Sequence, residues 1–110
     1  MTTWISDEEA EKALNWLVTN ARALGDAKEK AVLSEAMRKR VKAIQMKRSE
    51  ATSAAAQERD ADASDAMLEA ITDDAKASGH LEYMRALKDA AVARIEAWRS
   101  LTATQRAMSK

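Results

Sequence analysis

Ser49-Glu-Ala-Thr-Ser-Ala-Ala-Ala-Gln-Glu-Arg-Asp-Ala-Asp-Ala-Ser-Asp65 holds no large apolar side chain, and the chain on either side of it reads as helix. A polar stretch between two helical segments is a connection, so the chain divides into a first arm over about 7–48, a connection over 49–65 and a second arm over about 66–108. Composition agrees. The 110 residues include 25 alanines, two glycines (Gly25 and Gly79) and no proline. Alanine, leucine, lysine, arginine, glutamate and methionine are the strongest helix formers. The expected fold is all-α: one helical domain over residues 1–110, built as a long helical hairpin.

Working back from the connection, Ser6 followed by Glu9 has the spacing of a capping box, with Asp7, Glu8 and Glu9 at the positive end of the helix dipole. Trp4 stands where a hydrophobic staple would precede that cap, and Trp16 reads as a packing residue. Ala10, Leu14, Leu17, Ala21 and Leu24 recur at helical spacing and predict one apolar face. A second stripe follows at Leu33, Met37, Val41 and Ile44. At about 100° per residue, Leu24 and Leu33 point in opposite directions, so the apolar face is expected to reverse between them. A break at Gly25-Asp26, recapped by Asp26 and Glu29, would explain the reversal. One glycine costs a helix only about 1 kcal/mol, which favours a single long helix, straight or kinked.

Beyond the connection, Ser64 or Asp65 can cap the second arm, with Met67, Leu68 and Ile71 as first anchors. Gly79 allows a kink. Met84, Leu87, Ala91, Ile95 and Trp98 then trace an apolar stripe. Alanine aside, 26 residues of the chain are large and apolar, a thin core for two long arms. Self-association is therefore expected. Leu14, Leu17, Leu24, Met37, Val41, Ile44, Met84, Leu87, Ile95 and Trp98 are the candidates for core or subunit contact.

Charge supplies the functional clue. The chain is neutral overall, with 18 basic and 18 acidic residues, but Arg38, Lys39, Arg40, Lys42, Lys47 and Arg48 form a block without one acid. Residues 50–75 then carry a net charge of −7. A basic helical surface is the usual footprint of a phosphate-backbone binder. On the helical wheel, Arg38, Lys39 and Lys42 fall opposite Met37, Val41 and Ile44, which would turn them outward. The plainer reading is a solvated face whose cations pair with the acidic segment 50–74 of the same or a neighbouring chain. On the second arm Arg99 and Arg106 lie near Trp98. An exposed tryptophan there could stack on unpaired bases, but its place on the apolar stripe makes core packing the simpler reading.

Other chemistry has little support. Asp60, Asp62, Ser64 and Asp65 lack the glycine and terminal glutamate of a calcium loop. His80 is the single histidine and there is no cysteine, so no metal or nucleophile cluster is expected. The carboxylates lie on exposed helices with no pocket to perturb them. A non-enzyme without cofactors is expected. The first residues lack the pattern of a signal peptide, and no apolar run approaches the roughly 20 residues that span a bilayer. A soluble, cytoplasmic protein without membrane contact follows.

Ser53-Ala-Ala-Ala-Gln-Glu-Arg59, Ala93-Arg-Ile-Glu-Ala-Trp-Arg-Ser100 and Ala103-Thr-Gln-Arg-Ala107, with the alanine- and lysine-rich first arm, resemble a family of small helical proteins of tailed phages and prophages. Members are often encoded beside single-strand annealing and other recombination genes. The architecture also resembles the UvsY family of T-even phage recombination mediators, oligomers that bind single-stranded DNA and help load a recombinase past the single-strand-binding protein. The resemblance implies a homo-oligomer in the cytoplasm of a bacterial host. It would contact single-stranded DNA through Arg38–Arg48 with Arg99 and Arg106, and work beside a recombinase, annealing protein or single-strand-binding protein. The alternative is an adaptor or inhibitor of a host defence or nuclease protein, with the acidic segment as its contact surface. In a third reading the chain is a purely structural bundle.

Overall fold

The computed structural model describes residues 5–109; Trp4, expected to staple the first helix, lies outside them. Three helices and no strand are present among the described residues: α1 (Asp7–Arg48), α2 (Ala54–Asp62) and α3 (Asp65–Met108). Two long helices joined by a short connection make the helical hairpin.

The helix starts are set by local hydrogen bonds. Ser6 Oγ accepts from the Glu9 amide at 3.1 Å, Ser53 Oγ from Ala56 at 3.2 Å, and Ser64 Oγ from Met67 at 3.1 Å. Each satisfies one of the first-turn amides that has no partner within its own helix. Between Ser64 and Asp65, Ser64 is the residue that caps α3. Lys47 and Arg48 occupy the last turn of α1, where cations complement the dipole. Both long helices run unbroken through their glycines, and neither Gly25 nor Gly79 has a positive φ.

Both long helices pass through two compact units. One comprises residues up to Gly25 together with those from Tyr83 onward; the other is Asp26–Glu82.

In the first unit Ala10, Ala13, Leu17, Asn20 and Leu24 form a wholly or half-buried line on α1, alternating steps of three and four, with half-buried Trp16 beside it. That is the coiled-coil period of 3.5. Met84, Leu87, Ala91, Ile95, Trp98 and Thr102 follow one another on α3 in steps of three or four. The indole Nε1–H of Trp98 donates to Asp7 Oδ1 at 2.7 Å. Leu17, Leu24, Met84, Leu87, Ile95, Trp98 and Trp16 are buried or half-buried. Leu14, a candidate for core or subunit contact, is 54% exposed, and Ala13 takes the inward position beside it.

In the second unit the line on α1 is Ala27, Ala31, Ser34, Arg38 and Val41, facing Met67, Ala70, Asp74, Ala77 and Leu81 on α3. The apolar face therefore does not reverse after Leu24. Small side chains carry the packing, and helix separation follows the side chains at the contact. On the stripe expected to serve core or subunit contact, Leu33 and Met37 are 59% and 45% exposed, while Val41 and Ile44 are half-buried.

The connection folds more than its composition suggests. α2 buries Ala61 completely, and the Gln57 side chain donates to the Ala51 carbonyl at 2.9 Å. The Ser49 hydroxyl donates to Asp60 and accepts from the Ala51 amide, which fixes the exit from α1.

Candidate nucleic-acid interface

The six cations of the basic block meet different fates. Arg38 sits on the packed line of α1, seven residues after Ala31, and its Nε lies 3.3 Å from Asp74 Oδ2. The Asp74 side chain is only 13% exposed, so the pair is anchored in the seam between helices. Arg38 was expected to point away from the packed stripe. That inference took Met37 as inward, whereas Ser34, Arg38 and Val41 form the inward line.

Lys42 is also engaged. Its ammonium donates to Glu58 at 2.8 Å and lies 3.4 Å from Asp62, both on α2. The hydrogen bond to Glu58 holds the ammonium above the ordinary lysine range; desolvation opposes this, and Asp62 adds to it. Lys39 pairs only with Glu35, one turn back on its own helix at 3.6 Å, and stays exposed. So the acidic segment neutralises Arg38 and Lys42 within the chain, as the plainer reading of the block anticipated. Those two cations are the least available to a phosphate.

Arg40, Lys47 and Arg48 are exposed and form no ion pair among the described residues. Lys39, Lys47 and Arg48 are therefore the accessible charges toward the end of α1, with Arg40 on the line of Leu33 and Met37.

On α3, Arg99 and Arg106 are exposed, two turns apart, and form no ion pair among the described residues; they lie beside Ser100, Thr102 and Ala103. The hollow they border is lined by α3 residues alone, so it has one wall and encloses nothing. Trp98 borders it while its N–H is held by Asp7; the indole is a packing residue with a satisfied donor.

No group of three or more His, Cys, Asp or Glu suited to a metal ion occurs among the described residues. No helix among them is long and apolar enough to cross a membrane. The acidic partners Glu58, Asp62 and Asp74 were seen in the sequence only as members of a charge run. Asp74 had a sharper signal: it stands seven residues from both Met67 and Leu81, in line with the packed face.

Comparison with known proteins finds no matching family model, no matching curated protein and no matching solved structure.

Proposed function

We propose that this chain is a non-enzymatic accessory protein that self-associates and holds the backbone of single-stranded DNA. The observation that carries the reading is the set of exposed cations that remain after the acidic segment has taken Arg38 and Lys42. Lys39, Lys47 and Arg48 on α1, and Arg99 and Arg106 on α3, are the contacts assigned to phosphate. Contacts of this kind are electrostatic and independent of sequence. The resemblance to phage recombination proteins supplies the setting, a bacterial cytoplasm with a recombinase, annealing protein or single-strand-binding protein nearby.

A titration of a labelled single strand across a salt series tests this. Affinity should fall steeply with salt, and Lys47→Ala with Arg48→Ala should reduce the slope of log affinity against log salt by about 0.7 for each contact removed. No binding at low salt, or an unchanged slope in the double variant, rejects the assignment.

A second reading rests on the carboxylates that the fold leaves unpaired, Glu50, Asp65, Glu69 and Asp73. They would serve an adaptor or inhibitor that docks a basic protein. A pull-down from bacterial lysate before and after nuclease treatment separates the two. Captured proteins that vanish with nuclease favour DNA binding, and one that persists favours the adaptor.

A further inference from the structure

Between α1 and α3 in the second unit lies a groove of about 390 Å³, lined by Lys30, Leu33, Met37, Ala70, Glu69 and Asp73 among others. Its two walls differ. The α1 wall presents the exposed Leu33 and Met37 with Lys30, and the same line of the helix continues through Arg40, Ile44 and Lys47 in steps of three and four. The α3 wall is small and acidic, with Ala66 and Ala70 below and Glu69 and Asp73 on the rim. Lys30, Arg40, Glu69 and Asp73 make no ion pair among the described residues.

We infer that this groove is the interface with a second copy of the chain, which lays its α1 over the first copy's α3 and completes a four-helix bundle. The inference rests on the self-association proposed above and is independent of DNA contact. Charge chooses the arrangement. Stacking α1 on α1 would set Lys30 and Arg40 against themselves, whereas α1 on α3 sets Arg40 over the acidic wall in both halves. Register agrees. Arg38 reaches Asp74 across the seam, so Arg40 stands within about a turn of Glu69 and Asp73. A two-fold axis parallel to the helices keeps those levels, bringing Arg40 of each copy to Glu69 and Asp73 of the partner subunit. Met37 and Ile44, one turn to either side of Arg40, then bracket Ala70 of the partner subunit, burying apolar surface of Met37 that a lone chain leaves in water.

Sedimentation across a concentration series tests this, with circular dichroism confirming that each variant stays helical. The wild type should be a dimer or a multiple of one. Arg40→Glu alone, or Glu69→Arg with Asp73→Arg, should weaken association by about tenfold or more, and combining all three should largely restore it. A wild type that is monomeric throughout overturns the inference and gives the groove to some other occupant. So does association unmoved by either reversal, or a combined variant no tighter than its parents. DNA titration of the same proteins keeps the two readings apart. A dimer that binds no DNA rejects only the DNA contact, and a DNA-binding monomer rejects the self-association with its interface and leaves the DNA contact standing.

Discussion

Arg38 Nε and Asp74 Oδ2 meet at 3.3 Å in the seam between α1 and α3, with the carboxylate almost enclosed. A charge pair in a packed line is costly to break and cheap to replace as a whole, because a lone charge left there loses solvation without compensation. Asp74→Ala should therefore destabilise the hairpin by about 1–3 kcal/mol in thermal unfolding. Arg38→Met combined with Asp74→Leu should return stability to within about 1 kcal/mol of wild type.

Gly25 and Gly79 lie inside helices, have no positive φ, and a Cβ added at either would meet nothing within 4 Å. Each should gain about 0.5–1 kcal/mol on substitution by alanine, read as a rise in melting temperature. A loss at either position would show that the added methyl group is not accommodated there.

Ala61 on α2 is wholly buried, and Ala27 and Ala31 belong to the packed line of the second unit. Ala61→Leu or Ala31→Leu should cost about 1–3 kcal/mol through overpacking, in chemical denaturation. Val18→Ser, at a position 72% exposed, should change stability by less than about 0.5 kcal/mol.

The link between Lys42 and α2 should weaken at high pH. The ammonium is favoured in the folded state, so its contribution is complete below the ordinary lysine value, 10.5, and is lost as pH rises through the raised folded value. Following the Lys42 side-chain resonance during alkaline titration checks this. Glu58→Gln with Asp62→Asn should bring its midpoint down.

Much of the architecture was legible because it is written in local chemistry. Ser6, Ser53 and Ser64 cap through their own side chains, and the seventeen residues from Ser49 to Asp65 lack any large apolar group. The packed face was misread where size was taken as the marker of burial. Leu33 and Met37 drew attention, while Ala27, Ala31 and Ser34 carried the contact. Reading every third and fourth position whatever its size would have found the seam, and with it Arg38 and Asp74. The accessible cations were harder. Availability depends on which acid folds back onto which base, and α2 decides that for Lys42.

The contacts across the hairpin span very different lengths of chain: 16 residues from Lys42 to Glu58, and 91 from Asp7 to Trp98. Closing a long loop costs more chain entropy than closing a short one, and each contact made shortens the loop that the next must close. The order of least cost begins at α2 and runs outward like a zipper. Time-resolved refolding would then find the Lys42–Glu58 end ordered early and the environment of Trp98 settling last, so the small nine-residue helix in the connection sets the direction in which the whole chain assembles.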